Sequence, residues 1–291
     1  MTKEHWIGII IILALITIAL SGGAKKSSLV WPISPSSSPV VQSKTEVAEK
    51  PAGSSGAGGK VENANITNSG VSKYSGLISL KYVSRSEKPE QEYVTIQANN
   101  SQTKSILVTG WTLKSLASGQ SAAIPKGTPL FFSNTINSDE DIYLRPGETL
   151  YLSTGLSPNG TSFKVNKCSG YLTQFQTFTP YISSICPRAS DEDLSKIPKY
   201  VWNDSCFDYI DSYPRCKIQT DIMPVTWSVE CKDFINKLNY PSCVNAHKND
   251  GDFYLPEWRV FLRRNQPIWK SKRENIVLYD NFGKVVSTIS Y

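Results

Sequence analysis

Histidine is nearly missing from this 291-residue chain, which holds two, His5 and His247. A Ser-His-Asp or Cys-His site needs an imidazole beside its nucleophile. His5 sits at the apolar amino terminus, which leaves His247 alone for such work. The Gly-x-Ser-x-Gly elbow, the His-Glu-x-x-His helix and the phosphate-binding loop are absent as well. His247 therefore reads as a surface or structural residue, and the chain as a non-enzyme with no catalytic residue and no cofactor. Charge is sparse, 19% of residues, with a net value of +6. That balance mainly serves solubility, and it suits an anionic surface or polymer nearby. No internal repeat or heptad is present.

Cysteine is missing from every stretch but one. All six, Cys168, Cys186, Cys206, Cys216, Cys231 and Cys243, fall between residues 155 and 267. An even number confined to one loop-rich segment reads as a disulfide framework, with fifteen possible connectivities. Zinc is the competing reading, but no pair has Cys-x-x-Cys spacing and only His247 is near. Calcium would suit oxygen-rich turns such as Asn249, Asp250 and Asp252 or residues 137–141. Neither has the terminal glutamate of an EF-hand loop, so both read as solvated turns and no metal site is expected.

Long hydrophobic runs are also rare. Residues 6–20 form the one uninterrupted apolar run, and with the small residues that follow it reaches the length of a bilayer core. Residues 1–24 are expected to be an uncleaved single-pass anchor, a cleavable signal peptide being the rival. Residues 25–73 are rich in Ser, Gly and Pro and cannot bury enough apolar surface to offset ordering entropy, so a tether is expected there. Disulfides require the body, residues 74–291, to lie outside the cytosol.

What remains is β-rich. Residues 76–83 and 92–97 alternate, with Val94 and Ile96 facing opposite Tyr93, Thr95 and Gln97. Residues 106–113 predict a third strand carrying Trp111, residues 129–132 and 142–144 short ones, and residues 149–153 another after the Pro146-Gly147 turn. Residues 276–279 and 284–289 flank the Asp280–Gly283 turn and predict a hairpin, which needs partners from residues 76–154 to cover its apolar face. Everything in 155–267 then reads as an excursion. In it a capping box at Ser190 predicts a short helix ended by Pro198, Ser228 a helix over 229–238 with Cys231, Phe234, Ile235 and Leu238 on one face, and Pro256 a helix with Trp258, Phe261 and Leu262 inward. Its dense aromatics read as the thin core of a stapled lobe.

The order of Glu92–Ile96, Gly110-Trp111, the Pro146-Gly147 turn with Leu150-Tyr151-Leu152, and Ile276–Tyr279 with Gly283–Val286 and Tyr291 resembles the lamin tail domain. The resemblance covers residues 76–154 and 269–291. It implies an immunoglobulin-like β-sandwich, here interrupted by a long cysteine-rich, partly helical insertion, of the kind carried by bacterial exported proteins and nuclear lamins. For the family it implies surface or envelope association and contacts with protein or DNA.

The expected function is thus a membrane-anchored, extracytoplasmic binding or structural module of the cell envelope, with a surface protein or polysaccharide as partner. A first alternative is a binder of DNA or an anionic wall polymer through the one basic cluster, Arg259, Arg263, Arg264, Lys270, Lys272 and Arg273. A second is a hydrolase using insertion carboxylates such as Asp208 with Asp211 or Glu230 with Asp233.

Overall fold

A computed structural model describes residues 70–133 and 135–291. The expected anchor and nearly all of the expected tether lie outside the described residues. Among the described residues, no helix is long and apolar enough to cross a membrane. The fold is mainly β, with a mixed five-stranded sheet, an antiparallel four-stranded sheet and a two-stranded ribbon.

Alternation dictates the first pair. In β2 (Tyr93–Ala98) Val94, Ile96 and Ala98 are buried while Tyr93, Thr95 and Gln97 are half-exposed, as a pleated strand with one covered face requires. It pairs antiparallel with β1 (Ile78–Ser84), whose register shifts between Leu80 and Tyr82. The third expected strand is broken in two. Gly110 adopts φ +83°, and an added Cβ would lie 2.9 Å from Asn281 Oδ1. The chain turns there, leaving β3 (Ile106–Leu107) in the ribbon and β4 (Thr112–Ser115) in the four-stranded sheet, with Trp111 at the turn 1% exposed. β5 (Ser121–Ala123), too short and polar to show an alternation, pairs with β4. Residues 129–132 form no strand. β6 (Tyr143–Leu144) pairs with β3, and β7 (Thr149–Ser153) with β2.

The largest correction concerns 155–267. β8 (Phe163–Asn166) and β9 (Tyr254–Phe261) both belong to the five-stranded sheet, in the order β1-β2-β7-β9-β8. The expected helix at Pro256 is therefore a strand, running parallel to β7 from Thr149↔Glu257 to Ser153↔Phe261. Pro256 precedes those pairs and falls in the irregular stretch between Lys164↔Trp258 and Asn166↔Tyr254. Its missing N–H thus removes no ladder bond. The excursion proper is what lies between β8 and β9.

The C-terminal hairpin forms as expected, from β10 (Asn275–Tyr279) and β11 (Val285–Ser290). β10 also pairs with β4, from Ile276↔Ser115 to Tyr279↔Thr112. One apolar cluster takes Ile78, Val94, Ile96, Leu150, Leu152 and Val260 from one sheet and Leu113, Ile276, Leu278 and Val286 from the other. Buried carboxylates tie the returning chain to this core. Glu92 accepts from Thr154 Oγ1 (2.6 Å), Ile268 N (2.8 Å) and Trp269 N (3.1 Å), while Glu274 accepts from Ser115 Oγ (2.8 Å) and Lys270 N (2.9 Å). Burial raises the Glu92 carboxyl above its ordinary value, although these hydrogen bonds act to lower it.

Between β8 and β9 the chain builds a lobe with two cores. One holds Cys168, Tyr171, Phe178, Cys186, Cys216 and Cys243 and continues into Phe163, Val165 and Phe261 of the sheet. The other lies between α1 (Asp204–Ser212) and α2 (Val229–Asn236) and holds Ile197, Cys206, Ile210, Trp227, Cys231 and Ile235. α3 (Tyr240–His247) joins the first core. All six cysteines pair, as Cys168–Cys243, Cys186–Cys216 and Cys206–Cys231, which removes the zinc reading.

Candidate functional site

The basic cluster does not form one surface. Arg259 is 2% exposed, and its guanidinium donates to Glu257 Oε1 (2.5 Å), to the carbonyls of Pro180 and Tyr181, and packs over the Tyr151 ring. It is a strut between β9 and the lobe, withdrawn from any anionic ligand. β9 is covered on both faces, so Trp258, Arg259, Val260 and Phe261 are buried in succession, Arg259 on the side of the lobe, and the expected helix hid that pattern. Arg263 and Arg264 donate to the carbonyls of Gly160 and Ser121. Lys270, Lys272 and Arg273 are exposed where the chain enters β10, beside Arg85, which donates to Ser271 O (3.0 Å) and packs over Tyr291.

The acidic turns are used internally. Lys167 Nζ lies 2.5 Å from Asp252 Oδ1 and 3.2 Å from Asp250 Oδ2, so an ammonium stands where a cation would. Asp139 accepts from Thr128 and Thr161. Among the described residues no group of three or more His, Cys, Asp or Glu is placed to hold a metal ion.

His247, at the end of α3, has both nitrogens engaged. Nε2 is 2.8 Å from Glu192 Oε1 and Nδ1 is 2.8 Å from Asp250 Oδ2. Burial disfavours its charge, but hydrogen bonds and charges from the two carboxylates outweigh this and raise its pKa above the ordinary histidine value. An imidazole so bridged has no nitrogen left for a substrate proton. It clamps the chain at Glu192 to α3.

Beside that clamp lies a groove of about 380 Å³. One wall is α2, built as the sequence predicts. Ser228 Oγ accepts from Cys231 N (3.3 Å), satisfying a free amide of the first turn. Cys231 and Ile235 then face inward, and Glu230, Asp233 and Lys237 face out to solvent. The other wall is residues 192–197. Here the expected helix is only a 3-10 turn, Ala189–Asp191, and no side chain caps it, so the capping-box reading fails. The floor is Tyr171, Ile197, Phe234, Leu238, Cys243 and Ala246. The rim carries Glu192, Asp193, Glu230 and Asp233, with Lys196 and Lys237.

Tyr171 is 6% exposed, and its hydroxyl has no hydrogen-bond partner among the described residues. Burial and the charge of Glu192 push its pKa up to about 12. Of the carboxylate pairs noted in the sequence, Glu230 and Asp233 reach the groove, whereas Asp208 and Asp211 are exposed on α1 and do not line it. Glu192 entered the sequence reading only through the capping box at Ser190, and Tyr171 only as one of the lobe's aromatics, so neither was singled out for the groove. Only the expected disulfide framework, its pairing left open, hinted that distant segments meet here: Cys243, bridged to Cys168, lines the floor.

The chain matches no family model, and no curated protein matches it in sequence.

Proposed function

We propose that this protein is a non-catalytic binding module of the cell envelope: a single-pass N-terminal anchor, a tether, and an extracytoplasmic body of lamin-tail-like, immunoglobulin-like sandwich type that presents a stapled lobe. The observation that carries the binding role is the groove, an apolar floor ringed by charge, which is the usual form of a recognition site. Two sheets sharing one core support the fold reading, and complete pairing of the cysteines supports an oxidising compartment.

Hydrolysis is the second reading, favoured by the convergence of four carboxylates on one groove. Binding is preferred because general acid catalysis draws on burial to keep a carboxyl protonated, and Asp193, Glu230 and Asp233 are exposed. Glu192 is committed to His247. The remaining alternative, an anionic polymer held by Lys270, Lys272 and Arg273, has lost Arg259 to the interior.

The test is hydrogen exchange on the full-length protein with and without solubilised envelope from its own cell. Slowed exchange in α2 and α3 on adding envelope is expected, and unchanged exchange throughout the body would overturn the binding role. Protease added to intact cells should remove the body and leave an amino-terminal tag cell-associated. A body that resists protease until the cells are opened would overturn the location.

A further inference from the structure

The groove's chemistry narrows what it can hold, taking as premise that it is a binding site. Its floor is apolar, which asks for an apolar side chain. Its rim sets Asp193, Glu230 and Asp233 against Lys196 and Lys237, with Glu192 already paired to His247, and this balance asks for positive charge. Glu230 and Asp233 stand three residues apart on α2, so both project from one face of the helix, and Asp193 stands on the facing wall. The Tyr171 hydroxyl, without a hydrogen-bond partner among the described residues, can donate or accept at the floor. A volume of about 380 Å³ is at the small end for ligand clefts and suits a pair of side chains better than a folded surface.

We infer that the groove binds a cationic, apolar peptide segment of a partner protein, seating a leucine-like side chain on Phe234 and Leu238 and a neighbouring arginine or lysine between Asp193 and the Glu230–Asp233 pair. The segment supplies the charge the rim lacks, and its aliphatic neighbour covers the half-buried Phe234 ring. Lys237, on the same rim, opposes such a ligand and limits its affinity. A nucleic acid or anionic glycan meets the wrong sign of charge at this place.

Fluorescence anisotropy with the full-length protein in detergent tests this, using a fluorescein-labelled hexapeptide of alternating arginine and leucine. Saturable binding is expected. It should weaken about tenfold or more when citrulline replaces arginine or in the double variant Glu230→Gln, Asp233→Asn, and tighten in Lys237→Ala, as rim charges in contact with a charged partner do. Spermidine, which has charge without apolar side chains, should not displace the peptide at equal concentration. Equal affinity for the citrulline peptide, displacement by spermidine, or an unchanged double variant that circular dichroism shows to be folded would each overturn the inference. If the peptide fails while native envelope still slows exchange in α2 and α3, the ligand class is wrong and the binding role stands. If neither has an effect, both fall.

Discussion

His247 is the residue on which pH should act. Its folded-state pKa is raised by Glu192 and Asp250, and Lys167 and Asp252 are the other charged groups at this clamp. A group protonated more readily when folded stabilises the fold fully below its unfolded value, near 6.5, and loses that contribution as pH rises through the folded value. The Glu192 wall of the groove should therefore be held at acidic pH and released on the alkaline side. Comparing the melting temperatures of the wild type and His247→Asn should show a gap at pH 5.5 that narrows by pH 9, and a gap that widens with pH would contradict the clamp. Gly170 is constrained by contact instead. A methyl group there would overlap Cys216 Sγ and come within 3.1 Å of Cys186 Sγ. Gly170→Ala should cost about 2 to 4 kcal/mol through overpacking and loss of the bridge, visible in urea titration, with two reactive thiols by mass.

Elements whose partners are close in sequence were legible, and those completed by distant partners were not. The alternation of Val94 and Ile96 and the turn at Asp280 each encode their own strand, so β2 and the β10–β11 hairpin were readable. The Ser228 cap, a local hydrogen bond, made α2 readable too. β9 was not, because Pro256 followed by Trp258 and Phe261 fits a helical face as well as a strand buried on both sides, and only its parallel pairing with β7, a hundred residues upstream, decides. The groove was half legible for the same reason. Glu230 and Asp233 come with α2, but Glu192 and Tyr171 arrive through the fold. Replacing Ser228 by Ala should cost about 1 kcal/mol and speed exchange in the first turn of α2 while leaving β10 unaffected. Truncation before Trp269 has a larger effect, because it deprives β4 of its β10 partner and removes Ile276 and Leu278 from the shared core. An unpaired edge beside an opened core invites association. The truncated chain should aggregate on size-exclusion chromatography, and a monomer with unchanged melting would show that the sheets close without their C-terminus.

Across the whole molecule, the boundary of cooperativity should follow the cores rather than the ends of the excursion. The core that holds Cys168–Cys243 and Cys186–Cys216 is continuous with Phe163, Val165 and Phe261 of the sheet, and Arg259 straps the lobe's 180–181 carbonyls to β9. That half of the lobe should unfold with the sheets. The core between α1 and α2 contains no strand residue and is held by Cys206–Cys231, bridging residues 25 apart. Such a loop contributes roughly 3.5 kcal/mol in the chain-entropy account, a large share of what so small a core can supply. Replacing Cys206 and Cys231 together by Ala should therefore melt α1 and α2 first. Hydrogen exchange should show their amides exchanging early while β2, β7 and β9 keep full protection, with the wall of the groove formed by α2 lost and binding lost with it. Simultaneous loss of protection in α2 and β7 would show instead that lobe and sheets form one cooperative unit, in which case the groove could not open without unfolding the body that carries it.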